Sequence, residues 1–287
     1  MSSVLPDVRA RLGEALFLRV AGPEGPKQRE RIHFRPGPRW FEAGSPITRV
    51  HGDASMFVGG LRALLLQTLH PAAMRAVSEH SGFRGDIWGR LHRTSTFLAV
   101  TTFGTTDDAQ QAVDAVRRIH GRVVGTMPDG TPYAASDPHL LTWVHAAETD
   151  SFLRAHQVYG RAPLDQAERD RYVAQIGEVG RRLGVLDPPT SEAELEAVLA
   201  SYRPELAGTP EAREAVRYVL LRPPLPLAAR PPYAVLAAAA VGLMPAWTRV
   251  PLRLPWLPVA ERTVVRALGG AATGTIRWAM TRPAPVE

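Results

Sequence analysis

The stretch GRLHRTSTFLAVTTFG, residues 89–104, sets the fold class. At 3.6 residues per turn it places Arg90, Arg93, Thr94 and Phe97 at i, i+3, i+4 and i+7, one continuous helical face. Two cations and a hydroxyl therefore share a face of a segment that grows apolar toward Gly104. Such a face is either a basic surface in water or the polar lining of an internal site, and the neighbouring segments bear on the choice.

Helix signals continue on both sides, whereas strand signals do not recur. Residues 1–50 are punctuated by Pro and Gly and read as an N-terminal arm with one short helix. A helix is expected over 55–69, with Leu61, Leu64, Leu65 and Leu69 on one side. Pro71 interrupts it and restarts a short helix through Glu79, because proline suits a first helical turn and disfavours the helical region for the residue before it. The segment TTDDAQQAVDAVRRIHGRVVG (105–125) opens on a Thr/Asp cap with an acidic first turn, and Gly125 is the expected C-cap. Its apolar stripe runs Ala112, Val113, Val116, Ile119, His120, Val123. Further starts are marked by Asp137 before Pro138, by Asp165 with Glu168, by Ser191 with Glu194, and by Thr209 before Pro210. The expected fold is all-α: one large helical domain over 51–287, of about nine or ten helices, enclosing a cofactor pocket.

Composition narrows the chemistry. Net charge is +6, but Lys27 is the only lysine and the arginines are scattered, often one turn from Asp or Glu, as in AERDRYV (167–173). That pattern argues against nucleic-acid binding, for which a basic run is expected. Schiff-base chemistry could use only Lys27, in a polar, Gly/Pro-rich stretch. There is no cysteine, which excludes disulfides, thiolate metal sites, iron–sulfur clusters and cysteine nucleophiles. The start, MSSVLPDVRARLG, lacks the features of a signal peptide, and a cytoplasmic protein is the expectation. The longest uncharged run, Pro231–Thr248, is short of the roughly 20 residues that span a bilayer and carries prolines near both ends. A buried helix is expected there, with peripheral membrane contact left open.

Among nine histidines, His120 stands out because it sits within a clean apolar stripe. A buried neutral imidazole there is either a core histidine bonded to a backbone carbonyl or an axial haem ligand. Arg90, Arg93 and Thr94 could line the opposite side of a haem pocket, since arginine stays protonated and presents several donors in a planar fork. They could equally bind a haem propionate. His70, before Pro71, could help close a pocket or satisfy backbone groups. His145 and Glu148 are three apart, which evokes half of a di-iron site, but no second His-x-x-Glu pair occurs. Gly59 and Gly60 in HGDASMFVGG have no phosphate-loop spacing and are expected to permit close helix contact.

Four segments, LRALLLQTLHPAAMRAVSEHSGF, GRLHRTSTFLAVTTFG, AVRRIHGRVVG and DPHLLTWVHAAETDSFL, occur in this order. In order and spacing they resemble the family of latex-clearing protein, the rubber oxygenase, and fungal MpaB-type oxygenases. The resemblance is clearest over 49–159. It implies an all-α fold around a haem b held by a proximal histidine, which by motif is His120. It also implies that Arg90, Arg93 and Thr94 match the distal Arg-x-x-Lys-Thr pattern, with arginine where the family has lysine. A protonated guanidinium is a poor metal ligand, so Arg93 should not cap the iron. Val124 stands where the rubber oxygenases carry an arginine, and at helical spacing Arg122 points away from that position.

These readings combine into an expected function. The chain is expected to be a haem b (iron) oxygenase that uses dioxygen or peroxide on an apolar, possibly unsaturated, organic substrate. His120 would be the metal ligand, Arg90, Arg93 and Thr94 the catalytic residues, and these four with His145 the cofactor-binding set. The alternatives are a haem-binding sensor or carrier without turnover, and a haem-free helical scaffold in which His120 is a core residue.

Overall fold

The computed structural model describes residues 4–80 and 87–280. Among the described residues the fold is helical apart from one hairpin, which agrees with the all-α expectation. The N-terminal half comprises α1 (Val4–Ala21), α2 (Gly25–Phe34), α3 (Pro46–His51), α4 (Met56–Gln67), α5 (Pro71–His80), α6 (Ile87–Phe103) and α7 (Thr106–His120). After the hairpin β1 (Val124–Thr126) and β2 (Pro132–Ala134) come α8 (Pro138–Tyr159), α9 (Gln166–Leu183), α10 (Glu192–Ser201), α11 (Pro210–Leu221) and α12 (Arg230–Gly242). Three final segments are α13 (Arg249–Leu252), α14 (Pro258–Ala260) and α15 (Arg266–Met280).

The helix starts lie where local chemistry places them. Thr105 accepts from Asp108 N at α7, Ser191 from Glu194 N at α10 and Thr209 from Ala212 N at α11. Asp165 and Glu168 close a full capping box at α9. Each cap satisfies backbone donors that a helix start otherwise leaves unpaired.

Helix α8 is the axis of the molecule. At 22 residues it is roughly 33 Å long. It contributes Trp143 and Ala147 to one core cluster, Ala146, Phe152 and Leu153 to a second, and Ala155 and Tyr159 to a third. Burial on all sides explains why its sequence lacks one apolar stripe. Its buried hydroxyls bond back to the helix, Thr149 to His145 O at 2.7 Å and Ser151 to Ala147 O at 2.6 Å. Helix α4 packs along it most extensively. Gly59 permits that approach, since a Cβ there would stand 2.9 Å from Phe152, whereas Gly60 faces open space. Across the same interface Arg62, 2% exposed, pairs with Asp150 at 2.6 Å and donates to Ser151 Oγ at 2.7 Å.

Three local expectations are corrected. Residues 4–34 form two helices rather than one short helix and an arm, and α1 packs against α6 and α15. The chain also has more helical segments than nine or ten, because proline divides the last third into short pieces. Helix α7 ends at His120, with Gly121 N–H bonded to Arg117 O, and Gly125 lies in the hairpin opposite Tyr133. β-branched Val123 and Val124 favour the extended backbone that follows. The helical-spacing comparison of Arg122 with Val124 therefore does not apply, and both side chains are exposed.

The long uncharged run bends by 110° between Leu227–Gly242 and Ala246–Leu252. Among the described residues no single helix is long and apolar enough to cross a membrane. Helix α12 buries Leu236, Ala237, Ala239, Ala240 and Val241 in the fold, while Val250, Trp256, Leu257 and Val259 beyond it are exposed.

Candidate functional site

Helices α6 and α7 pack together and are joined only by Gly104 and Thr105, which makes them antiparallel neighbours. From Arg90 to Phe103 is roughly 20 Å, and from Thr106 back to His120 roughly 21 Å, at 1.5 Å per residue. His120 therefore returns to the end of the pair that carries Arg90 and Arg93. A helix C-terminus favours a charged imidazolium. Burial outweighs that here and pushes the His120 pKa down, and its buried Nδ1 has no hydrogen-bond partner. His120 is thus a neutral imidazole at the last residue of α7, not within the helix as expected.

The arginine face divides. Burial lowers the Arg90 pKa, the nearby Arg93 charge lowers it further, and Glu148 on α8 opposes both. Arg90 therefore turns toward α8, while Arg93 and Thr94 are exposed.

On α8 the carboxyl of Glu148 is shifted upward by burial, against the opposing effects of a 2.9 Å hydrogen bond from Gln67 Nε2 and the charge of Arg90. His145, one turn earlier, is pushed down to about 4 by burial, and its Nε2 is buried without a partner. The other side of its ring lies against Gly180 of α9, where an added Cβ would stand 2.8 Å from Nδ1. Both side chains nevertheless keep some accessible surface. Both groups are thus strongly desolvated without being fully closed off.

Residues that the sequence did not single out lie in the same neighbourhood. His51 at the end of α3 is 2.8 Å from Thr102 Oγ1 and 3.4 Å from the Tyr172 hydroxyl, and burial lowers its pKa to about 3. The Tyr172 hydroxyl is driven well up by burial and by the charges of Glu148 and Asp150, so it shares their neighbourhood. The only sequence signal for His51 was its place just before Gly52-Asp53, which reads as a turn. His70 packs elsewhere, against Trp143, Tyr202 and His139. Ser81–Phe83, the end of the first quoted segment, lie outside the described residues.

Two histidines held neutral in the fold dictate an acid response. Unfolded, each titrates near 6.5; folded, His145 does so at about 4 and His51 at about 3. Below 6.5 the unfolded chain binds more protons, so stability is full above that pH. It falls as pH drops toward 4, by up to about 1.4 kcal/mol per unit for each histidine. Thermal melts from pH 7 to 4 should show this slope, and His145→Asn should flatten it; an identical slope in the variant would mean that His145 titrates normally.

Among known proteins, residues 48–274 match the family described as ER-bound oxygenase mpaB/B'/rubber oxygenase, catalytic domain. One uncharacterized protein of Mycobacterium bovis and one of Mycobacterium tuberculosis are each 35% identical to the chain over 97 residues. That stretch is 33% of this chain and 37% of either relative, so the likeness spans well under half of their length. No solved structure matches.

Proposed function

Because the chain belongs to the mpaB/rubber oxygenase catalytic-domain family, we propose that it is a haem b-dependent oxygenase. Its substrates in this reading are dioxygen and an apolar, unsaturated small molecule. The observation that carries the reading is His120, a neutral imidazole whose buried Nδ1 has no partner, at the last residue of α7.

The residues present fit the group. A haem ligand must be an unprotonated imidazole, and burial supplies that at His120. A haem also brings carboxylates, and a guanidinium such as that of Arg93 can hold one. His145, neutral with an unpartnered Nε2, offers a second polar contact. Arg93 stands in place of the family lysine, and as a guanidinium it binds anions without ligating iron. Its exposure, and that of Thr94, assigns them to the rim in this reading.

When bound, haem iron supplies the one-electron chemistry that makes dioxygen reactive toward a closed-shell organic molecule. The chain's own residues orient and screen that chemistry. Arg90 offers preorganised donors to negative charge developing on oxygen. Glu148 is held toward its protonated form, with Oε1 accepting from Gln67, which leaves Oε2 to carry a proton. The Arg90 charge acts on this carboxyl, so a proton and a positive charge are both available near it.

The test is reconstitution of the purified chain with haem. A Soret band titrating to one haem per chain is expected, with oxygen consumption when an unsaturated hydrocarbon is added. Arg90→Gln should slow that consumption on the order of 100-fold, the usual cost of losing one preorganised donor, and Arg93→Gln far less. Haem uptake without consumption of oxygen on any olefin would leave a non-catalytic binder. No Soret band would overturn the haem reading altogether.

A further inference from the structure

A second constellation lies apart from the residues assigned to haem. His70, just before α5, is 8% exposed, and neither of its ring nitrogens has a hydrogen-bond partner. Its Nε2 stands 3.8 Å from Glu205 Oε2, too far for a hydrogen bond. Glu205 ends the 3-10 turn Arg203–Glu205, and its Oε2 is 2.8 Å from Nε2 of His139 in the first turn of α8. One ligand atom from each of the three residues falls within 4.8 Å of the other two.

We propose that His70, His139 and Glu205 form a site for one divalent transition metal of borderline softness, with Zn²⁺ as the type ion. The donor set of two imidazoles and one carboxylate suits such an ion, and with three protein ligands the fourth position is left to water. Tetrahedral ligands at 2.0–2.1 Å stand roughly 3.3 Å apart, between the two separations found here. Closing the site means drawing Glu205 toward His70 and away from His139. His139 and Glu205 are about half exposed and free to make that adjustment.

The surroundings prepare the ligands. The Tyr202 hydroxyl donates to His139 O at 2.7 Å and lies 3.2 Å from His139 Nδ1, with the two rings stacked at 4.6 Å. Here Nε2 donates to Glu205; on metal binding that proton would leave, and the Tyr202 hydroxyl, already donating to a carbonyl, would accept from Nδ1–H, the usual outer-sphere role in histidine sites. Asp137 caps α8 through His139 N at 2.9 Å and so anchors the backbone beneath that ligand. Ala207 N–H bonds to Leu69 O at 2.8 Å, which ties the loop after Glu205 to the residue before His70. Burial also keeps the His70 imidazole neutral, the form that ligates. The ion would then staple the starts of α5 and α8 to the turn after α10.

The measurement is isothermal titration of the full-length chain with Zn²⁺ after chelator treatment, with pyridine haemochrome run in parallel so that haem iron is counted separately. One Zn²⁺ per chain and a raised melting temperature are expected, with visible d–d bands when Co²⁺ replaces Zn²⁺. Glu205→Gln, at an exposed position that cannot cost the fold, should weaken binding at least tenfold and abolish the Co²⁺ bands. Tyr202→Phe should weaken binding about tenfold through the lost positioning contact. His70→Asn should remove the site while haem content stays unchanged. No Zn²⁺ uptake by the parent chain, or uptake indifferent to both Glu205→Gln and His70→Asn, overturns the assignment.

Discussion

Replacing His120 by alanine is expected to leave a folded protein that no longer takes up haem. The fold should survive because the imidazole contributes little to it. Its buried Nδ1 makes no hydrogen bond, so deletion leaves no partner stranded, and alanine favours the last turn of α7. In the proposed reading haem uptake should fail because the imidazole that would hold the iron is gone, and neither Arg90 nor Arg93 could replace it as protonated guanidinium groups. The pyridine haemochrome should drop from one haem per chain to background while the circular dichroism melt stays within a few degrees of the parent. Stoichiometric haem in the variant would remove His120 as the ligand and move attention to His145, the other neutral imidazole with an unpartnered nitrogen.

Arg62→Ala should be the most damaging single change to stability. It removes one half of an ion pair in which Arg62 is 2% and the Asp150 side chain 6% exposed. Asp150 would keep only the partly exposed Arg154, at 3.2 Å. Leu243 O would lose its 3.0 Å bond from Arg62 Nε. Breaking a buried pair by removing one partner costs about 3–5 kcal/mol, because an uncompensated charge remains in the interior. For a chain of this size that lowers the melting temperature by on the order of 10 °C. Replacing both ends, as in Arg62→Met with Asp150→Leu, removes the stranded charge and should recover most of the loss. Equal melting temperatures for parent and Arg62→Ala would show that the pair is solvated in solution.

Much of this was legible because it is local. Thr105, Asp165 with Glu168, Ser191 and Thr209 each cap a helix by bonding an amide two or three residues away, and such a bond depends on nothing else in the fold. The four ordered segments likewise pointed to the family that the match over residues 48–274 bears out. The orientation of a side chain beyond its own helix was not legible. Periodicity put Arg90, Arg93 and Thr94 on one face, but only packing against α8 desolvates Arg90 and leaves the other two exposed. The end of α7 was misplaced by a few residues, because Gly121 and Gly125 are both acceptable stops and the pairing of Val124 with Ala134 selects the first. That choice moves His120 from inside the expected helix to its last residue.

What the amino-acid sequence determined by itself is therefore the all-α class, the helix starts and the set of chemistry-bearing residues, since each follows from interactions spanning a few residues. The tertiary structure alone decided which of those residues lose water, as with His145, Glu148 and His51. It alone joined Arg62 to Asp150 and His70 to His139 and Glu205. Burial and long-range pairing arise from the summed packing of distant segments, which no short window of sequence encodes.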